Sequence, residues 1–301
     1  MSALHRISMV ATALVLCVLC GAGCISEREP FILLLDGGYS LQLLDTGTNT
    51  FESPDGITVA SERVAYFTGH HGGTLWRWSP GEGSVMLCDS TAGLASPESI
   101  VRTPDGMLYL TDDTAGGLWQ CDSTGTLSLL AGPERGLTST EGIAITPDGA
   151  LLVGDGMART IFRVTRAGSV SVFLGPAAGI EKAEAMVFDE QGTLYVADDV
   201  QGKVFMVEPD HAPRVLLDGT ADIGMPESLA FHHGCLYVTD GANGKLYRWS
   251  RARHSLETIA IFHGYVQDVQ SIALSDRGSI FVTIRSADPN TGYLFKLESG
   301  S

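Results

Sequence analysis

The sequence of 301 residues predicts an all-β fold: a six-bladed β-propeller with four-stranded blades, built on a 43-residue repeat and closed by an N-terminal strand. Three observations carry this. One short motif recurs six times at constant spacing. Each repeat holds four strand patterns. The last repeat lacks a strand that the N-terminus supplies.

The motif is an acidic residue, a small one and an apolar one. It reads Asp55-Gly56-Ile57, Glu98-Ser99-Ile100, Glu141-Gly142-Ile143, Glu184-Ala185-Met186, Glu227-Ser228-Leu229 and, with an amide replacing the acid, Gln270-Ser271-Ile272. Successive first residues are 43 apart in all five intervals (98−55, 141−98, 184−141, 227−184, 270−227). The first strand of each unit follows the acid, as in Ile143-Ala144-Ile145-Thr146. A turn comes next, often Asp-Gly as at Asp105-Gly106 and Asp148-Gly149, which is a strong hairpin signal. The second strand is Leu108-Tyr109-Leu110, matched by Leu151-Leu152-Val153, Leu194-Tyr195-Val196, Leu236-Tyr237-Val238 and Ile280-Phe281-Val282. The third is Leu75-Trp76-Arg77-Trp78, matched by Leu118-Trp119, Ile161-Phe162, Val204-Phe205, Leu246-Tyr247 and Leu294-Phe295. The fourth resembles Leu127-Ser128-Leu129-Leu130 or Val170-Ser171-Val172-Phe173. Trp76, Trp78, Trp119 and Trp249 all fall in third strands and are expected to pack between blades.

The sixth unit runs out after three strands, near 272–275, 279–284 and 293–297. Leu44 stands 11 residues before Asp55, just as Leu130 stands 11 before Glu141. Residues 39–45 are therefore expected to complete the last blade, closing the ring and hiding sheet edges that would otherwise aggregate. The run from Phe31 to Leu35 has strand character but no partner the sequence can assign.

The N-terminus reads as a targeting segment. His5 and Arg6 precede an apolar stretch from Ile7 to Leu19, too short to span a bilayer comfortably, then Gly21-Ala22-Gly23. Residues 1–23 read as a signal peptide, 24–38 as an N-terminal segment and 39–301 as the propeller. Cys24 directly follows the small residues, which resembles a bacterial lipoprotein signal; Gly21 departs from the Leu such signals prefer. Lipidation at Cys24 and ordinary secretory cleavage nearby both stay open. The expected location is the bacterial periplasm or cell envelope, the expected state a monomer, and the only expected membrane contact a lipid anchor.

Lys and Arg total 19 against 35 Asp and Glu, a formal charge of −16. This disfavours nucleic-acid backbones and anionic headgroups and suits cation binding. Cys88, Cys121 and Cys235 form neither a disulfide framework nor a metal spacing, and buried thiols are expected. The chain has no nucleophile elbow, P-loop or zinc spacing.

In a four-stranded blade the first strand is innermost. Its start and the end of the second strand lie on one face, because the two form a hairpin. Asp55, Glu98, Glu141, Glu184, Glu227 and Gln270 should therefore ring one channel mouth, each followed by a small residue that permits close approach at the axis. Asp112, Asp155, Asp198 and Asp240 end second strands on the same face, as an outer acidic ring or as turn residues. Five carboxylates round a narrow channel must protonate in part, bind backbone N–H groups or take up a cation. Oxygen ligands without His or Cys favour Ca²⁺, or Mg²⁺, over zinc. The competing reading is structural, since a residue repeated in every blade often serves the fold.

Departures from the repeat mark a distinct sector. Blade one has Gly69-His70-His71 where others have an Asp turn, and Gln270 is the neutral ring member. The turn from Arg285 to Gly292 is lengthened, and His263, Tyr265, Gln267 and Asp268 lead into blade six. A ligand pocket is expected in this sector of blades one and six. His232-His233 fall in a turn on the opposite face.

The repeat motifs resemble the SMP-30/gluconolactonase/LRE-like propellers, with related NHL-type and strictosidine-synthase-like repeats. The stretches that carry this are Glu141 to Gly149 (EGIAITPDG), Glu184 to Asp198 (EAMVFDEQGTLYVAD) and Pro226 to Ala230 (PESLA), and it covers roughly 40–301. Lactonases of that family hold one divalent metal, commonly Ca²⁺, at the channel mouth through Glu, Asn and Asp at inner-strand starts. Pro54-Asp55-Gly56 matches the family's Pro-Asp-Gly form and Glu141-Gly142 its Glu-Gly form, but no ring position here is Asn. The resemblance implies a metal held by some of Asp55, Glu98, Glu141, Glu184 and Glu227, polarising a lactone carbonyl. Glu227 is then the expected general base on water, with His70, Gln270 and Arg285 against the substrate. The alternatives are a non-catalytic propeller binding a protein, glycan or peptide of the envelope, and a lyase like the virginiamycin-B lyases, which would need His70 or His71 beside the ring.

Overall fold

A computed structural model describes residues 31–46, 51–122, 124–264, 269–286 and 291–300. The signal segment with Cys24, the residues Tyr265, Gln267 and Asp268, and part of the turn after Arg285 lie outside them.

Six antiparallel sheets surround one axis. Blade 1 comprises β3 (Pro54–Ser61), β4 (Val64–Gly69), β5 (Thr74–Ser79) and β6 (Gly83–Cys88). Blade 2 comprises β7 (Pro97–Arg102), β8 (Leu108–Asp112), β9 (Gly117–Cys121) and β10 (Leu127–Ala131). Blade 3 comprises β11 (Thr140–Ile145), β12 (Leu151–Asp155), β13 (Thr160–Val164) and β14 (Val170–Leu174). Blade 4 comprises β15 (Ala185–Phe188), β16 (Leu194–Asp198), β17 (Lys203–Val207) and β18 (Arg214–Leu217). Blade 5 comprises β19 (Pro226–His232), β20 (Cys235–Asp240), β21 (Lys245–Ser250) and β22 (Ser255–His263). Blade 6 joins β23 (Val269–Leu274), β24 (Ile280–Arg285) and β25 (Gly292–Ser299) to β2 (Tyr39–Asp45), the predicted N-terminal closure. Helical structure among the described residues is limited to four three-residue 3₁₀ turns between blades.

The unplaced apolar run is also a strand. β1 (Phe31–Leu34) pairs antiparallel with β22, making blade 5 five-stranded and covering its outer edge. The ring closes at a polar seam between blades 6 and 1. The Lys296 ammonium, in a residue 4% exposed, sits 2.7 Å from Glu62 and 3.0 Å from Glu298. The Asp45 carboxylate accepts from the Ser84 N–H at 3.0 Å and its hydroxyl at 2.7 Å.

Apolar burial lies between blades rather than within them. Trp78 of blade 1 packs edge-on against Phe281 of blade 6, centroids 6.4 Å apart, and Trp249 of blade 5 against Tyr195 of blade 4 at 6.2 Å. Each such side chain contributes about 1.5–3 kcal/mol by leaving water. Cys121 is buried, and Cys88 and Cys235 are half-buried free thiols.

At the axis, close approach sets the inner strands. A Cβ on Gly56 would meet the Glu98 carbonyl oxygen at 2.3 Å, and one on Gly142 the Ala183 and Glu184 carbonyls at 2.7 Å. Second-strand threonines then tie the backbone of four ring residues to the blade before each. Thr68 donates to the Glu98 carbonyl at 3.0 Å, Thr239 to the Gln270 carbonyl at 3.3 Å, Thr283 to the Asp55 carbonyl at 2.6 Å, and Thr111 to the Glu141 carbonyl. With the backbone spoken for, the ring side chains project at the mouth.

Candidate functional site

The second-strand aspartates are structural. Asp112, Asp155, Asp198 and Asp240 are at most 1% exposed. Asp155 accepts from the N–H groups of Thr138 at 2.6 Å, Ser139 at 3.3 Å and Ala158 at 2.9 Å, and from the Thr138 hydroxyl at 2.8 Å. Asp112 accepts from Ala95, Ser96 and Ala115, Asp198 from Glu181 and Gln201, and Asp240 from Gly224, Met225 and Asn243. Each therefore pins the linker entering its blade to its own hairpin turn. They form no outer acidic ring; buried N–H groups that would otherwise lack partners consume their charge.

The ring carboxylates behave differently. Glu98, Glu141, Glu184 and Glu227 take no backbone N–H among the described residues; the partners of the first three are side chains. They line a cavity of about 400 Å³ at the mouth with His70, Asp113, Lys182, Asp199, Met225, Gln270 and Arg285. Asp55 lies below, in the narrow channel.

Two further sets of equivalent positions build this cavity. At the end of the second strand, equivalent positions hold His70, Asp113, Gly156, Asp199, Gly241 and Arg285 in blades 1 to 6. The residue two before each ring member is Ser53, Ser96, Ser139, Lys182 or Met225 in blades 1 to 5. Lys182, Asp113, Asp199 and Met225 were not singled out from sequence, although the 43-residue register contains them.

Charge is distributed in two clusters. In blades 1, 2 and 6, His70 Nδ1 is 2.7 Å from Glu98 and 3.7 Å from Asp55, and Arg285 contacts Asp55. Burial, with Arg285 nearby, holds the imidazole below its ordinary value. Burial and Asp55 lift the Glu98 carboxyl well above its own. In blades 3 and 4, the Lys182 ammonium is 2.8 Å from Glu184, 3.4 Å from Asp199 and 3.7 Å from Glu141. Burial opposes its charge, but Glu184 and Glu141 more than offset this. Ser139 donates to Asp113 at 2.5 Å. Burial and the Glu184 charge push Glu141 up to about 8. Burial takes Glu184 to about 7 despite Lys182. Glu227 makes no hydrogen bond or ion pair among the described residues, and burial with Glu184 and Asp199 pushes it up to about 9.

Two triads could hold a metal ion, Asp55–His70–Glu98 and Glu98–Glu141–Glu184, with donor atoms within 4.8 Å of one another in each. Oxygens bound to Ca²⁺ at about 2.4 Å can lie up to about 4.8 Å apart, so the all-oxygen triad fits a hard divalent cation. Asp199 Oδ1, on the wall beside it, is buried without a hydrogen-bond partner. In the other triad, Asp55 is already paired with Arg285.

A larger cleft of about 800 Å³ lies between blades 3 and 4 on the opposite face. Two of its carboxylates are occupied: Asp148 by Thr146 and Arg163, Asp189 by the N–H groups of Gln191 and Thr193 and by Arg251. His232, at the end of β19, and His233, in the turn that follows, have ring centroids 3.9 Å apart on that face.

No family model matches the chain, and no curated protein does. Solved structures match its fold. Regucalcin from Agrobacterium tumefaciens, a calcium-binding protein, is 19% identical, with TM-score 0.66 over 87% of this chain and 94% of that one. A luciferin-regenerating enzyme is 13% identical, with TM-score 0.66 over 87% and 96%. A streptogramin B lyase is 12% identical, with TM-score 0.65 over 87% and 98%. At such identities the likeness shows the six-bladed fold alone, and these three proteins differ in what they do.

Proposed function

We propose that the chain is an exported hydrolase that opens a lactone or similar cyclic ester at the propeller mouth, dependent on a divalent cation, Ca²⁺ before Mg²⁺. The observation that carries this is the Glu98–Glu141–Glu184 cluster, one buried and two partly buried carboxylates whose oxygens converge within 4.8 Å on the wall of the cavity. The neighbouring calcium-binding regucalcin fold supports it at the level of architecture.

Glu98, Glu141 and Glu184 would hold the cation, which when bound polarises an ester carbonyl. Lys182 favours the ionised form of Glu184. Glu227 is free of partners and placed to take a proton from water on a carboxylate oxygen. At about 9 it holds its own proton at neutral pH, and added positive charge nearby would ionise it. Arg285, fixed by Asp55, presents a guanidinium at the wall for the substrate's oxygens, and His70 and Gln270 line the same side. The test is release of hydroxy acid from a lactone panel, with and without chelator. Cation-dependent turnover that Glu227→Gln lowers by about 10²-fold or more upholds the reading. Turnover indifferent to both treatments contradicts it.

One observation favours a second reading, a non-catalytic propeller binding an envelope protein, glycan or peptide. Lys182, Arg285 and His70 already contact Glu141, Glu184, Asp199, Asp55 and Glu98, so much of the mouth's charge is met internally. Absence of both cation binding and turnover would select it.

A further inference from the structure

The mouth's rim divides into a polar and an apolar half, and we infer that the apolar half selects the ligand: the site takes a cyclic ester carrying an apolar tail, which lies over Met157 and Val200. This deepens the hydrolase reading and rests on it for the ester head.

The rim is formed by the turns between second and third strands, one residue beyond His70, Asp113, Gly156, Asp199, Gly241 and Arg285. In blades 1, 2 and 6 that position holds His71, Thr114 and Ser286; in blades 3, 4 and 5 it holds Met157, Val200 and Ala242. Met157 is 77% exposed and Val200 62%. A lone exposed apolar side chain is ordinary on a protein surface. Apolar residues on three consecutive blades, at a position that is polar on the other three, set one side of the rim apart from the other. Blade 5 continues this edge inward. Two residues before the ring, blades 1 to 3 carry Ser53, Ser96 and Ser139, whereas blade 5 carries Met225, which lines the cavity.

The path from this edge to the ring carboxylates runs over bare backbone. A Cβ on Gly241 would meet Glu227 Oε1 and Met225 Cε at 2.7 Å. A Cβ on Gly156 would stand 3.3 Å from Glu141 Oε1. Between these glycines Asp199 is turned to Lys182 at 3.4 Å. On the polar half the same positions carry the side chains of His70, Asp113 and Arg285. The cavity of about 400 Å³ opens at the rim, so a tail on a head group bound at the ring carboxylates can lie across that rim, and among the described residues blades 3 to 5 carry its apolar positions.

The experiment compares kcat/KM for γ-lactones bearing a methyl or a hexyl substituent. Full burial of a methylene is worth about fourfold; on an open shelf about twofold is expected, or roughly thirtyfold across the five added methylenes. In Met157→Ser/Val200→Ser the hexyl-to-methyl ratio should fall to near one, whereas Thr114→Ala on the polar half should keep it. A native ratio near one, or a double variant that retains the native ratio, overturns the shelf and leaves the hydrolase intact. If no lactone is opened, the hydrolase reading has failed. Calorimetric binding of the matched methyl and hexyl γ-lactams then decides the shelf. A tail-dependent gain lost in the double variant upholds it, and no such gain overturns it.

Discussion

Two sets of acids recur around this propeller a few residues apart in space, and they do opposite things. Asp112, Asp155, Asp198 and Asp240 spend their oxygens on the backbone of linker and turn. Glu98, Glu141, Glu184 and Glu227 leave the backbone alone and crowd round the channel. Repetition marks both sets equally in the sequence. The inventory of buried N–H groups tells them apart: a carboxylate that satisfies several buried donors is part of the fold, and one packed against other carboxylates has charge to give.

The contrast is sharpest in stability. Asp155→Ala should cost about 3–5 kcal/mol in urea unfolding, because it strands the buried Ser139 N–H and the half-buried N–H groups of Thr138 and Ala158. Glu227→Gln, at an equally repeated position, should be neutral or slightly stabilising. Equal costs would erase the distinction between the sets.

A smaller effect concerns pH. Glu141, Glu184 and Glu227 hold protons at about 8, 7 and 9 in the folded chain, against an ordinary 4.5. Their pKa values are raised on folding, so the stability linked to them is fully present below about pH 4.5 and lost as pH rises through 7 to 9. Cation-free protein should therefore unfold at lower urea at pH 9 than at pH 6, and millimolar Ca²⁺ should restore most of the difference. Glu141→Gln/Glu227→Gln should flatten the slope. A slope that survives the double variant would place its origin elsewhere.

The smallest effect separates the mouth from its supports. Thr68→Val removes a 3.0 Å bond to the Glu98 carbonyl and should cost about 1 kcal/mol, with Ca²⁺ affinity falling by less than about tenfold. A larger loss of affinity would show that the ring's backbone, as well as its carboxylates, sets the site.

The blades were legible because each strand pattern is short-range and is repeated in register with Asp55 and its equivalents. Closure was legible for the same reason: Leu44 keeps that register. β1 was not, since Phe31–Leu34 carries strand propensity but nothing in four apolar residues says which edge they cover. The ring was legible as a motif. Lys182 and Met225 were hidden because the position two residues before the ring is serine in blades 1 to 3, and the deviation shows only when that column is read by itself. The contact of His70 with Glu98 depends on how two side chains from adjacent blades meet across the mouth, which no spacing reveals. The sequence pointed to a pocket in blades one and six, but His70 and Arg285 turn inward on Asp55 and Glu98 there, and the cavity also spans blades 2 to 5.

The most direct test is calorimetric titration of Ca²⁺ into the chelator-stripped mature protein at pH 8, alongside Glu98→Gln/Glu184→Gln. Saturable one-to-one binding, accompanied by proton release and abolished in the double variant, is the predicted result. No binding by the native protein, or binding that the double variant keeps, would contradict a cation site at the ring.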